Sequence, residues 1–106
     1  MRGIYFINNQ IEFAGHTKEE SFGIQKQALV EFINEHKLQV IKLNPYQLNQ
    51  YYTILHALFY DLRASRAQLD CFAFYTEEVL VDFIRTYPAR WLVIKSYFNQ
   101  CMSVCS

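Results

Sequence analysis

A chain of 106 residues, 52% hydrophobic and 19% charged, has the size of one domain and is too apolar to remain disordered, so residues 1–106 are expected to form a single folded unit. Its ten basic and ten acidic residues cancel and neither sign forms a long run, which argues against nucleic acid as the main partner. The apolar run after Met1-Arg2-Gly3 covers only residues 4–7, too short for a signal peptide or a membrane span, and three cysteines, an odd number, fit reduced thiols; a cytoplasmic protein with no membrane partner is expected.

Residues 4–7 are continuously apolar and rich in β-branched and aromatic types, which predicts a first strand buried on both faces. Thr17-Lys18-Glu19-Glu20 predicts a capping box that opens the first helix. Over residues 21–36, Phe22, Ala28, Leu29, Phe32 and Ile33 recur at helical spacing and predict an amphipathic helix facing a sheet. Residues 38–43, centred on Val40 and Ile41, predict a second strand, and Asn44-Pro45 predicts its end and the start of a second helix. That helix would carry Leu48, Tyr51, Tyr52, Leu55, Leu58, Phe59 and Leu62 as a wide apolar stripe.

Residues 71–75, preceded by Asp70, predict a third buried strand, and Thr76 is expected to cap a third helix with Glu77 and Glu78 in its first turn. Val79, Leu80, Phe83, Ile84 and Tyr87 would face inward, and Pro88 would end the helix. Residues 91–94, Trp91-Leu92-Val93-Ile94, predict a fourth strand. This alternation implies an α/β fold: a three-layer arrangement with a mainly parallel four-stranded sheet, strand one inside it, and helices on both faces.

The stretch Ser21-Phe22-Gly23-Ile24-Gln25, followed by Leu29 and Phe32 and then by Leu38-Gln39-Val40-Ile41, resembles the start of the first helix and the second strand in the N-terminal catalytic domain of serine recombinases, the resolvase and invertase family. The order of elements and the Asp70 that opens strand three match as well. The resemblance implies a serine nucleophile near the end of strand one and arginines that bind the scissile phosphate. Matching the family's Tyr-x-Arg-x-Ser strand to Tyr5-Phe6-Ile7-Asn8-Asn9 puts Ile7 at the arginine and Asn9 at the serine, and Glu78-Val79 and Asp82 stand where an Asp-Arg and a further arginine are expected. An amide is not a nucleophile, and carboxylates repel a phosphate. The resemblance therefore implies a recombinase-like domain that is not an enzyme.

Two surfaces remain as candidates for binding. In a parallel sheet, ligands sit beyond the carboxyl ends of the strands, here near Asn8, Asn9, Gln10, Tyr75, Thr76 and Glu77, although all of these are also ordinary loop and cap residues. No cofactor is expected, because Gly15 stands alone where a phosphate loop would need several glycines. His16, His36 and His56 lack ligand spacing, and Cys101 and Cys105, which could share a helical face, are too few for a metal or redox site. Glu77, Glu78 and Asp82 are explained by a helix dipole.

Aromatic residues, 17% of the chain, exceed what one small core needs. Tyr and Trp concentrate binding energy at interfaces, and Tyr46, Tyr52, Phe59 and Tyr60 are the candidate protein-binding residues. The leading expectation is a non-catalytic module that binds another protein or a second copy of itself. The alternative is a small-molecule sensor or enzyme that uses the strand-end pocket.

Overall fold

The computed structural model describes residues 1–105. In chain order they form β1 (Arg2–Tyr5), α1 (Lys18–His36), β2 (Gln39–Val40), α2 (Leu55–Ser65), β3 (Leu69–Phe74), a 3-10 turn (Glu77–Leu80), α3 (Val81–Thr86), α4 (Pro88–Ser96) and β4 (Phe98–Ser103). The strands pair in the order β2-β1-β3-β4 and every pairing is parallel. Strand one lies inside the sheet, as its sequence predicts, and Ile4 and Ile7 are fully buried.

Alternation along the strands divides the core into two clusters. Ile4, Phe6, Phe72 and Phe74 pack with Leu55, Leu58 and Leu62 of α2, Leu80 of the 3-10 turn and Ile94 of α4. Tyr5, Ile7, Cys71 and Ala73 pack with Leu29 and Phe32 of α1 and with Leu38. The sheet is dense where it crosses β1. A Cβ on Gly3 would lie 2.6 Å from the Cys71 carbonyl oxygen and 2.8 Å from a Leu38 methyl, so only glycine lets β1, β3 and Leu38 approach this closely.

The predicted capping box opens α1. The Glu20 N–H donates to Thr17 Oγ1 at 3.1 Å, and the Thr17 N–H donates to the Glu20 carboxylate at 2.8 Å. These hydrogen bonds to Thr17 hold the Glu20 pKa below its ordinary range. The helix stops at Lys37, whose left-handed φ of 50° lets its N–H reach back to Asn34 O and Leu38 N–H to Ile33 O.

Several expectations are corrected. Residues 91–94 are not a strand but the middle of α4. Pro88 occupies the first turn of that helix, where a missing N–H is no loss, instead of merely ending the previous one. Trp91 and Ile94 then face the core three residues apart, a helical rather than a strand spacing. The fourth strand is Phe98–Ser103, whose sequence FNQCMS is polar because an edge strand needs no continuous apolar run.

The second strand, expected over residues 38–43, is only Gln39–Val40, and Asn44-Pro45 starts no helix: α2 begins at Leu55, which leaves Leu48 and Tyr51 in a loop. Asn44 instead makes a turn, its Oδ1 accepting from the Tyr46 N–H at 2.9 Å and its carbonyl from the Gln47 N–H at 3.1 Å. The third helix is broken into the 3-10 turn and α3, and Thr76 caps it with its carbonyl rather than its side chain, whose buried hydroxyl has no partner among the described residues. Cys101 and Cys105 share no helical face, since Cys101 lies in β4 and Cys105 just beyond it.

No helix among the described residues is long and apolar enough to cross a membrane. Gly3→Ala is expected to lower stability by about 1–3 kcal/mol through overpacking against backbone that cannot move aside. Urea denaturation of the variant checks this, and an unchanged midpoint contradicts the close approach at Gly3.

Candidate functional site

At the carboxyl end of β1 the structure builds a buried polar hub. Gln25 and Ser21, fully buried on α1, fall on the same stripe as Leu29 and Phe32. The Gln25 side chain bridges the backbone of Asn8: Oε1 accepts from the Asn8 N–H at 2.9 Å and Nε2 donates to the Asn8 carbonyl at 2.8 Å and to Ser21 O at 3.2 Å. Ser21 Oγ accepts from the Phe13 N–H at 2.9 Å and donates to Thr17 O at 2.7 Å.

The side chain of Asn8 turns the chain out of the sheet. Its Oδ1 accepts from the N–H groups of Gln10 at 2.9 Å and Ile11 at 3.1 Å, while Nδ2 donates to Val79 O at 3.0 Å. Each of its polar groups is therefore used within the chain. Asn9 and Gln10 are exposed, and Asn9 borders a hollow of about 250 Å³ with Lys18, Glu19 and Phe22. Thr76 is half-buried, whereas Glu77 lines a cavity of about 500 Å³ that lies toward β4. The five strand-end residues are thus divided among separate surroundings.

A second candidate surface arises where β2 is interrupted. Ile41 N–H still donates to Gly3 O at 2.9 Å, and the chain then leaves the sheet until Tyr52. There the Tyr52 N–H donates to Tyr5 O at 3.0 Å and the Ile7 N–H donates to Tyr52 O at 2.9 Å, so Tyr52 takes the place beside β1 that a longer β2 would have held. Residues 42–51 are an excursion from one strand position to the next.

That excursion is turned outward. Tyr46 is 87% exposed, Leu48 95%, and Ile54, at the start of α2, 60%. Together with Tyr52, Ala57 and Asp61, the last two residues border a hollow of about 280 Å³. The Gln47 side-chain amide is buried beside it with neither polar atom paired among the described residues. Tyr60 on α2 is 59% exposed.

Of the four candidate interface residues, Tyr46 and Tyr60 are exposed, but Tyr52 and Phe59 belong to the core. This is a correction with a clear cause. The Tyr52 hydroxyl donates to Asp61 at 2.7 Å, which satisfies its polar end inside the protein, and burial together with that carboxylate raises its pKa far above the phenol range. Phe59 is covered by the guanidinium groups of Arg63 and Arg90, 5.4 and 5.3 Å from its ring centre.

Tyr51, expected beside Tyr52 on the helix, instead packs from the loop against Tyr5 and Phe22, with ring centres 5.7 and 5.8 Å apart. Arg90 also donates to His56 Nδ1 at 2.9 Å; a guanidinium has no acceptor, so the imidazole nitrogen accepts.

Burial, followed by the neighbouring Cys101 and Asp70, pushes the Cys71 thiol up to about 11, and burial also raises Cys101 despite the opposing Lys95. Both are inert thiols at neutral pH. Tyr75 is raised chiefly by its hydrogen bond to Cys105. Among the described residues no three His, Cys, Asp or Glu side chains gather where they could hold a metal ion.

Ser21 and Gln25 are the residues whose role the sequence conceals. Their signal is the stripe itself: extended back from Phe32 and Leu29 by helical steps, it reaches Gln25 and Ser21, polar groups at positions that must be buried. Replacing Gln25 with Leu strands both the N–H and the carbonyl of Asn8, at about 1–3 kcal/mol each. The Gln25→Leu variant is therefore expected to lose roughly 3 kcal/mol in urea denaturation and to broaden the amide resonances of residues 8–13. Retained stability with a sharp loop spectrum contradicts the hub.

No protein-family model, curated protein or solved structure matches this chain.

Proposed function

We propose that this chain is a recombinase-like α/β domain without recombinase chemistry, used as a protein-interaction module. Three observations support the likeness. The parallel order is built around strand one, and the two core clusters fit a three-layer arrangement with α1 on one face of the sheet and α2 to α4 on the other. Ser21 and Gln25, two residues that carry the resemblance, are the buried polar members of α1. At the matched catalytic positions Ile7 is fully buried in the core and Asn9 is an exposed amide, so neither supplies a phosphate ligand or a nucleophile.

The observation that carries the interaction reading is the outward excursion over residues 42–51. Leu48 at 95% and Tyr46 at 87% exposure are large apolar groups held on a hydrogen-bonded turn rather than folded into the core, as Tyr52 is. Lys42 Nζ donating to Gln47 O at 3.2 Å braces the same turn. Leu48 borders a hollow and Tyr46 stands exposed two residues before it, an arrangement of aliphatic and aromatic anchors that fits a protein contact. The strand-end alternative has less support, since the main chain and side chain of Asn8 are already hydrogen-bonded within the protein.

The test uses Tyr46→Ala and Leu48→Ser in affinity purification from the source cell, with Tyr60→Ala as a third variant on the neighbouring helix. A stoichiometric protein partner held by the unaltered chain is expected to bind Tyr46→Ala and Leu48→Ser more weakly by roughly 2 kcal/mol or more. Their melting temperatures should not change, because neither side chain packs in the core. A partner retained by both variants, or a loss of stability without a loss of binding, overturns the assignment of this surface. Incubation with duplex DNA is expected to give no covalent adduct, and an adduct overturns the non-catalytic part of the reading.

A further inference from the structure

On α2, His56, Tyr60 and Arg63 follow one another by steps of four and three residues and so form one stripe. Ala57 and Asp61, which border the hollow beside the outward turn, belong to a different stripe. Arg90 of α4 joins the first stripe from the side. Its guanidinium lies over the rings of Tyr87 and Phe59 at 5.4 and 5.3 Å and donates to His56 Nδ1 at 2.9 Å, and the Tyr87 ring meets the imidazole edge-on at 4.5 Å.

Arg63 lies over the same Phe59 ring at 5.4 Å. Two guanidinium groups are thus drawn onto one aromatic side chain instead of extending into water, and their contacts restrict the rotamers they visit.

The two helices hold little to balance this charge. The sequence of α4, PARWLVIKS, contains no carboxylate, and the one carboxylate of α2, Asp61, accepts from Tyr52 on the neighbouring stripe. Arg90 also stands in the first turn of α4, where the helix dipole opposes a cation. Its bond to His56 goes to a neutral nitrogen and uses one N–H of a fork that has five. Beside the two arginines, Tyr60 and Tyr87 are 59% and 40% exposed.

From this juxtaposition we infer that the outer face of α2 and α4 binds an acidic segment of a partner protein, whose carboxylates pair with Arg63 and Arg90 while its chain lies against Tyr60 and Tyr87. Charge complementarity selects the occupant, because a guanidinium already held in place grips a carboxylate through two parallel hydrogen bonds. Arg and Tyr are also the residue types that concentrate energy at protein contacts. Nucleic acid fits less well, since the chain has no basic run to follow a line of phosphates. A second copy would have to bring a different patch, its own carboxylates, to this face, and such head-to-tail contacts run on into chains unless the rotation closes. The site goes beyond the proposed function, because residues 42–51 contribute nothing to it.

The experiment titrates a fluorescein-labelled oligoglutamate peptide with the full chain, follows anisotropy, uses oligolysine as the opposite probe, and maps the bound state by amide chemical shifts. Oligoglutamate is expected to bind, to weaken with added salt, and to shift resonances around Tyr60, Arg63 and Arg90 most. Arg63→Gln is expected to weaken it about tenfold. Arg90→Lys is expected to have a similar effect, because lysine keeps the charge and loses the fork. Lys26→Gln, which removes the same charge from α1, and Leu48→Ser on the outward turn are expected to leave binding unchanged. Arg63 is exposed, so its variant keeps the test decisive even if the Arg90 variant fails to fold.

Absence of binding, equal binding of oligolysine, or shifts centred on other residues overturns the inference. So does an equal loss in Lys26→Gln, which reduces the effect to net charge, or a loss in Leu48→Ser, which assigns the peptide to the outward turn. Tighter binding of a single-stranded oligonucleotide at the same residues assigns the face to nucleic acid, and a concentration-dependent assembly in sedimentation that Arg63→Gln dissolves assigns it to a second copy; either result overturns the inference as well.

Discussion

The arrangement depends on how one backbone position, Asn8, leaves the sheet. A strand buried on both faces ends in a region where an unpaired N–H or carbonyl costs about 1–3 kcal/mol. Water cannot easily satisfy the groups of Asn8, and the next residues of the chain turn away. The Gln25 amide satisfies both, acting as donor and acceptor to the main chain of a single residue. Because Gln25 sits on α1 and Asn8 Nδ2 reaches Val79, the same position ties α1 to β1 and β1 to the 3-10 turn after β3. Elements distant in sequence are thus located by side-chain amides whose geometry permits little slack.

The division of labour along α1 follows from this. Its first two turns bury polar residues and its later turns bury Leu29 and Phe32, so one helix face changes from a hydrogen-bonding surface to an apolar one. The capping box at Thr17 and Glu20 fixes where the helix starts, and hence where Ser21 and Gln25 stand relative to the strand. A shift by one residue would rotate Gln25 by about 100° and leave Asn8 without partners. The cap contributes to position as well as to helix stability.

Much of the fold was legible in the sequence, and the failures have physical causes. Residues 4–7 and 71–74 could be read because a central parallel strand must be apolar on both faces, a demand that leaves an uninterrupted run. The edge strand carries no such demand, so FNQCMS gives no strand signal, while the nearby Trp91-Leu92-Val93-Ile94 is apolar enough to mimic one. Pro88 does not discriminate between the two, since proline ends one helix and starts the next equally well, and local propensity alone does not say which.

The candidate interface was half legible for a related reason. Projecting residues 48–62 on one helix puts Tyr52 in a stripe wider than a core needs, but Tyr52 is a strand-like residue beside β1 with its hydroxyl on Asp61, a contact that depends on tertiary structure.

The two edges of the sheet show how one chain treats similar exposure differently. On the β2 side the strand is two residues long, and Tyr52 closes the gap beside Phe6 and Ile7, so little main chain is open. What the chain presents there is side chain: the ordered turn carrying Tyr46 and Leu48. On the β4 side the strand is six residues long and uncharged, and it borders a cavity whose wall mixes Leu80, Ile84 and Trp91 with Glu77, Lys95 and Gln100. The first edge is closed by a turn that carries side chains outward, and the second is a strand paired on one side only among the described residues. The difference follows from where pairing stops: β2 breaks off after Val40 and the chain returns to β1 only at Tyr52, whereas β4 keeps a partner in β3 as far as Ser103.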